Sequence, residues 1–126
     1  MPSFLHQGKL FYNPVEFALS HIGGTWKMPI LWRLRGRVMR YSELRKDIPH
    51  ISDKMLTTQL RELEADGLVN RKVFAEVPPR TEYQLTDKGQ RAVLVVEQIR
   101  VYGLELMGEY GIDPGKATAP DSAGME

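Results

Sequence analysis

Cationic and hydroxyl-bearing residues recur along one segment of the chain, residues 52–66. At about 100° per residue of an α-helix, Lys54, Thr58 and Arg61 fall on one face, and Thr57 lies beside them. Lysine and arginine can reach phosphates or guanine edges, and threonine can contact bases or thymine methyl groups. The segment therefore predicts a helix face that contacts double-stranded DNA.

Leucines occupy the opposite face of the same segment. Leu56, Leu60 and Leu63 share one side of the helix, and that side must pack inward. Ser52 is a typical N-cap residue, and a helix N-terminus presents free backbone N–H groups to an anion. We therefore expect Ser52 both to cap this helix and to lie near a phosphate.

The segments around this helix carry the signals of short helices, a hairpin and a long final helix. We expect a first helix from Asn13 and Pro14 to about His21, and a second helix that is capped by Thr25 and ends near Gly36. A strand over 38–41, a third helix from Ser42 to Pro49 and the helix over 52–66 follow. The chain then forms a β-hairpin over 68–77 and 80–86 and a long helix capped by Thr86. A hairpin directly after two closely spaced helices is typical of a winged helix-turn-helix. The predicted fold class is α+β, mostly α.

Apolar and aromatic residues recur on the predicted final helix and around the predicted first helix. Val93, Val96, Ile99, Gly103, Leu106 and Tyr110 repeat at spacings of three and four, a stripe that indicates a packing partner. A set of aromatic residues could enclose a small-molecule pocket at a dimer seam or simply pack an interface. This set comprises Phe11, Tyr12, Phe17, Tyr102 and Tyr110.

The length of 126 residues suits one domain with short extensions. We expect an N-terminal extension over 1–12, the domain over 13–110, and a disordered tail over 111–126, which is small, polar and proline-bearing. No window approaches the roughly 20 apolar residues of a membrane helix, and the N-terminus lacks a signal core. The expected location is the cytoplasm, without a membrane partner.

The net charge of +1 hides an asymmetry along the chain. Between Thr25 and Arg61, nine Lys or Arg residues face three acids, a local balance of +6, whereas five acids face one base from Val101 onward. Such a basic segment can be an ordinary solvated surface or a polyanion-binding face. The second alternative is favoured here because the basic segment lies in a fold that is expected to bind DNA.

Catalytic and metal chemistry finds little support in the sequence. The chain contains no cysteine, and its three histidines, His6, His21 and His50, are scattered without a partner at ligand spacing. The GIDPGKA stretch is one residue short of a phosphate loop and has Ala117 where that loop needs Ser or Thr. We therefore expect no enzyme activity, no cofactor and no metal site.

The sequence resembles the HxlR-type regulators, a branch of the MarR-like winged-helix proteins. Three stretches carry the resemblance: PVEFALSHIGGTWKMPILWRL, YSELRKDIP and ISDKMLTTQLRELEADGLVNRKVFAEVPPRTEYQLT. Together they lie within Pro14 to Gly111. The resemblance implies a dimeric transcription regulator in which residues 52–66 form the recognition helix and residues 76–81 the wing. It also implies that the first and last helices form the dimer interface.

Oxidant-sensing members of this family keep a cysteine just before the proline of the first helix. That position is Asn13 here, where the side chain has a sufficient role as an N-cap. Regulation by cysteine oxidation is therefore not expected. Control could instead come from a small-molecule effector at the dimer seam, from methionine oxidation or from protein abundance alone, and the sequence leaves all three open.

Eight residues are the candidates for DNA contact: Ser52, Lys54, Thr57, Thr58, Arg61, Arg80, Lys27 and Arg40. Arg80 is the candidate of the wing. For Arg80, Lys27 and Arg40 the alternative is a solvated surface cation without a function.

Two functions from different classes remain open at this point. The first is an operator-binding homodimer, which the cationic outer face of residues 52–66 favours. The second is a winged-helix module that binds another protein, for which Glu62 and Glu64 are the only indication. An RNA-binding function ranks lower because no sheet is expected to display stacking aromatic residues.

Overall fold

A computed structural model describes residues 2–116. Its elements are β1 (Phe4–His6), β2 (Lys9–Phe11), α1 (Pro14–Ile22), α2 (Lys27–Leu34), β3 (Met39–Arg40), α3 (Tyr41–Asp47), α4 (Asp53–Ala65), β4 (Val69–Phe74), β5 (Arg80–Leu85), α5 (Asp87–Glu109) and a 3₁₀ turn at Pro114–Lys116. The order agrees with that expected of a winged helix-turn-helix. In the part of the chain that the structure describes, no helix is long and apolar enough to cross a membrane.

Two small antiparallel sheets accompany the helices. β1 pairs with β2, and the three-stranded sheet has the order β3-β5-β4. In that sheet Tyr83 of β5 lies between Met39 of β3 and Arg71 of β4. The β4–β5 hairpin carries the predicted wing, residues 76–81, and β3 connects the beginning of α3 to this sheet.

Side-chain caps begin three of the helices where the sequence predicts them. Asn13 Oδ1 accepts a hydrogen bond from the backbone N–H of Glu16 at 2.8 Å, and Ser52 Oγ accepts one from Met55 at 3.0 Å. Thr86 Oγ1 accepts from the N–H of Gly89 at 3.0 Å and donates to a backbone carbonyl of the turn before β4. Each cap satisfies a donor that the helix cannot satisfy itself.

The prediction that Thr25 caps the second helix is wrong. The N-cap is Trp26, whose backbone is already helical and whose side chain makes no cap hydrogen bond. Pro29 stands at the third position of α2 and has no N–H that a cap could bind. Consequently α2 begins without a side-chain cap.

The core lies between α2, α3, α4 and the three-stranded sheet. Its largest fully buried side chains are Ile30, Leu31, Leu34, Leu44, Ile51, Leu56, Leu60, Leu63 and Val69. The helix α5 packs against α2 and β5. Where α5 begins, it approaches the chain so closely that a Cβ on Gly89 would collide with the carbonyl oxygen of Leu68.

The two predicted extensions contain ordered backbone. Residues 4–11, within the expected N-terminal extension, form the β1–β2 hairpin, and Phe11 is buried against Phe4 and Phe17. The turn uses Gln7 and Gly8, both with positive φ, which suits a two-residue hairpin loop. Of the expected disordered tail, residues 111–116 include the 3₁₀ turn, and residues 117–126 lie outside the described residues.

Replacing Leu60 by alanine tests the core assignment. Leu60 is 1% exposed, and its truncation removes buried methyl groups and leaves a cavity. We expect Leu60→Ala to lower the free energy of unfolding by about 2–5 kcal/mol in chemical denaturation. Thr58→Ala, on the exposed face of the same helix, should change it by less than about 0.5 kcal/mol. Equal effects of the two variants would contradict the assigned orientation of α4.

Candidate nucleic-acid interface

The outer face of α4 is the main surface of the candidate interface. Lys54, Thr58 and Arg61 are exposed, while the three leucines of the opposite face are at most 1% exposed. The packing of the leucines therefore fixes which way the cations and the hydroxyl point. This arrangement agrees with the predicted helix face.

The start of α4 is open to an anion. Ser52 is exposed and its hydroxyl caps the N–H of Met55, so the N–H groups of Asp53 and Lys54 have no acceptor within the helix. These two groups and the positive end of the helix dipole can bind a phosphate. Ser52 thus caps α4 as predicted, and its contact with a phosphate stays a prediction.

A hydrogen-bond network joins α3 to the first turns of α4. The hydroxyl of Tyr41 lies 3.1 Å from Asp53 Oδ1 and 3.3 Å from Thr57 Oγ1, and Arg45 Nε lies 2.7 Å from Asp53 Oδ1. The hydrogen bond from Arg45, followed by that from Tyr41, lowers the pKa of Asp53 below its ordinary value. Thr57 is consequently half-buried beside Tyr41, with only part of its surface on the outer face.

Tyr41 and Arg45 were missed by the sequence reasoning. Their contacts with Asp53 span 12 and 8 positions of the chain, so no helical spacing reveals them. The indirect signal was that α3 and α4 belong to one helix-turn-helix, in which the first helix is expected to brace the second.

Arg80, in the wing, makes contacts that a free surface cation lacks. Its guanidinium stacks over the ring of Phe74 at 4.0 Å, and its Nε lies 3.2 Å from Glu76 Oε2 and 3.4 Å from Glu82 Oε2. Two carboxylates therefore compensate its positive charge where β5 begins. Arg71 and Lys72 on β4 are exposed cations of the same hairpin.

Arg40 lies at a cleft between α3 and the wing. The cleft has a volume of about 580 Å³ and is lined by Arg40, Tyr41, Ser42 and residues 76–81. Arg40 itself is exposed, and its backbone N–H donates to Glu43 Oε1 at 2.8 Å. The structure thus places Arg40 on the same side of the molecule as Tyr41 and the wing.

Lys27 is buried, although the sequence predicts it as an exposed cation at the DNA or elsewhere on the surface. It is 8% exposed, the one buried charged residue among residues 2–115, and its Nζ lies 2.8 Å from Glu62 Oε1. A buried ammonium group needs such a partner because it has lost its hydration. Lys27 therefore links the start of α2 to α4 from the inside and does not belong to the DNA-facing surface.

The basic segment between Thr25 and Arg61 is divided by the fold. Lys54 and Arg61 lie on the outer face of α4 and Arg40 lies at the wing cleft, whereas Arg33, Arg35 and Arg37 surround a separate cavity with Asp47. The local balance of +6 is thus not one continuous patch.

A comparison with known families shows to which family the chain belongs. A family model described as HxlR-like helix-turn-helix matches residues 21–110, more than half of the sequence. The chain belongs to the HxlR-like helix-turn-helix family. The predicted family and the winged-helix fold are confirmed, and so is a DNA-binding transcriptional regulator as the general class of protein.

Relatives and solved structures support this membership. An HTH-type transcriptional regulator of Methanothermobacter thermautotrophicus is 46% identical over 89 residues, which cover 71% of this chain and 68% of that protein. The structure of the HTH-type regulator YtcD, 43% identical, has a TM-score of 0.72 and is matched over 76% of this chain and 98% of its own. The redox regulator HypR in its oxidised form is 44% identical with a TM-score of 0.69, over 74% of this chain and 96% of its own.

The pair formed by Lys27 and Glu62 can be tested by a double-mutant cycle. We expect Lys27→Met and Glu62→Gln to be coupled by roughly 0.5–1 kcal/mol in free energy of unfolding, a modest value because Glu62 is half exposed. Chemical denaturation of the two single variants and the double variant gives the coupling. Strict additivity would contradict a stabilising interaction between these two side chains.

Proposed function

We propose that this chain binds double-stranded operator DNA as a homodimer, with α4 in the major groove and the wing on the adjacent groove or backbone. The observation that carries the proposal is the outer face of α4, where Lys54, Thr58 and Arg61 are exposed opposite a fully buried leucine stripe. A major groove about 12 Å wide admits a helix held clear of its domain in this way.

The contacts divide into those that position the protein and those that read bases. The N-terminus of α4 at Ser52 suits a phosphate, and Lys54 and Arg61 can reach phosphates or guanine edges. Thr58 is exposed for base contact, whereas Thr57 presents only part of its side chain. The network from Tyr41 and Arg45 to Asp53 holds these residues in register with α3.

The wing contributes a second line of contacts. Arg40 at the cleft, together with Arg71 and Lys72 on β4, offers exposed cations to the DNA backbone. In this proposal Arg80 acts mainly on the shape of the wing, because its guanidinium already lies against Glu76 and Phe74.

Apolar side chains on α1 and α5 support a dimer. Exposed residues of this kind are Val15 and Leu19 on α1, and Leu94, Val95, Ile99, Val101 and Tyr102 on α5. Exposed apolar surface of this extent is typical of interaction sites, and a two-fold dimer would present two α4 helices to half-sites about 34 Å apart. The homodimer is thus part of the proposal.

The structure reduces the support for a protein-binding module. Glu62, one of the two acids behind that alternative, forms an ion pair with the buried Lys27. The outer face of α4 consequently presents cations and hydroxyls, which favour a polyanionic partner.

Control of this regulator is proposed not to use cysteine chemistry, because the sequence contains no cysteine. The description of HypR as a redox regulator is therefore not carried over. An effector at the dimer seam stays a prediction. Of its expected aromatic set, Phe11 and Phe17 pack edge to face at 5.0 Å, whereas Tyr12, Tyr102 and Tyr110 are exposed.

Alanine variants of the two outer cations test the proposal. Lys54→Ala and Arg61→Ala should each weaken binding to the DNA upstream of the protein's own gene by about 1–3 kcal/mol if they contact bases. If they contact phosphates, each should reduce the slope of log affinity against log salt by about 1. Fluorescence anisotropy with a labelled duplex measures both quantities.

Arg91→Ala is the matched control for this experiment. Arg91 is an exposed cation on α5, a helix outside the proposed DNA contacts, and its removal should leave both the affinity and the salt slope unchanged. Thermal melts should be the same for all three variants, since none of the side chains is buried. Unchanged affinity of both Lys54→Ala and Arg61→Ala would contradict the proposed role of α4.

A further inference from the structure

A second group of cations lies at the end of α2. Arg33, Arg35 and Arg37, called here the α2 arginine cluster, occur within five residues, and the chain reverses between them at Gly36 with a φ of +71°. None of the three belongs to the outer face of α4. The proposed DNA interface therefore leaves this cluster without a role.

Intramolecular contacts hold two of these guanidinium groups in place. Arg35 stacks over the ring of Trp32 at 3.7 Å, and its Nη1 donates to the carbonyl oxygen of Trp32 at 2.6 Å. Arg37 Nε donates to the carbonyl oxygen of Arg33 at 3.1 Å. These bonds satisfy carbonyl groups at the C-terminus of α2 and restrict both side chains. Because a guanidinium has five N–H donors, each of them retains donors for a ligand.

The cluster surrounds a cavity of charged side chains. The cavity has a volume of about 360 Å³ and is lined by Arg33, Arg35, Arg37 and Asp47. Asp47 Oδ2 accepts from Arg37 Nη2 at 3.1 Å, and the backbone oxygen of Asp47 accepts from Arg33 Nη2 at 3.3 Å. Three guanidinium groups and one carboxylate line this cavity, a lining that favours an anion over an apolar ligand.

The cavity is separated from the DNA-facing side by the length of α3. Tyr41, at the start of α3, contacts Asp53 of α4, whereas Asp47, at the end of α3, lines the cavity. Six residues of helix rise about 9 Å between these two ends. On its other side the cluster approaches α5, since the guanidinium of Arg100 lies 5.4 Å from the ring of Trp32.

We propose that the α2 arginine cluster binds the phosphoryl group of a small anionic ligand. Guanidinium groups form forked hydrogen bonds that match phosphoryl oxygens, and two of the groups are already oriented by Trp32 and by the end of α2. Asp47 accepts a hydrogen bond from Arg37 and so competes with the phosphoryl group. This site does not depend on the proposed function, because it lies apart from α4 and the wing.

Isothermal titration calorimetry on the full chain tests the site. The probes are inorganic phosphate, AMP and, as the uncharged counterpart of AMP, adenosine, in low-salt buffer near pH 7.5. We expect saturable binding of one phosphate or AMP per chain and no binding of adenosine. Equal affinities for phosphate and AMP would identify free phosphate as the ligand, and tighter binding of AMP would identify a phosphorylated metabolite; both results support the site.

Substitutions at two residues, with opposite expected effects, separate ligand binding from a purely structural role. Arg37→Gln should weaken phosphate binding about tenfold, since it removes a charge-assisted donor. Arg37→Lys should retain the charge and recover only part of the affinity. Asp47→Asn should instead strengthen binding severalfold, because it removes the competing carboxylate. If these arginines only satisfy the end of α2, none of these changes in affinity will occur.

Arg91→Ala, which removes an exposed cation of α5, serves as the control for this site. Its affinity for phosphate should equal that of the parent, and Arg37→Gln should leave the salt slope of DNA binding unchanged. Absence of saturable binding by both anionic probes, or binding that Arg37→Gln does not alter, would overturn the proposal. A reduced salt slope in Arg37→Gln would also overturn it, because the cluster would then be a contact with the DNA backbone.

Discussion

The burial of one leucine stripe determines the orientation on which the candidate interface depends. Leu56, Leu60 and Leu63 belong to the same buried cluster as the apolar residues of α2, and each is at most 1% exposed. Burial of three such side chains is worth several kcal/mol, far more than any exposed charge contributes. The apolar face therefore sets the rotation of α4, and Lys54 and Arg61 face solvent as a result.

Charged side chains add to the orientation of α4 that the apolar core determines. Lys27 approaches α4 from the inner side and pairs with Glu62, whereas the cations on the outer side are exposed. Because Lys27 compensates the negative charge of Glu62, this carboxylate repels a polyanion at the outer face less strongly. The same division of a basic segment isolates the α2 arginine cluster, so one stretch of sequence supplies two cationic surfaces separated by α3.

Features that depend on neighbouring residues were predictable from the sequence, and features that depend on distant residues were not. Caps at Asn13, Ser52 and Thr86 and the outward position of Lys54 follow from local spacing. The burial of Lys27 depends on Glu62, which lies 35 positions away, so helical periodicity gave no sign of it. Similarly, an arginine in a turn predicts a solvated cation, but the pairing of β4 with β5 places Phe74 opposite Arg80, and the guanidinium stacks over its ring.

The most direct test of a specific DNA-binding regulator is a comparison of two duplexes across a salt series. One carries the DNA upstream of the protein's own gene and the other a random sequence of equal length. The account predicts clearly tighter binding to the upstream duplex, with an affinity that falls steeply as salt increases. Absence of binding to either duplex at low salt would contradict it and would favour a protein partner for the outer face of α4.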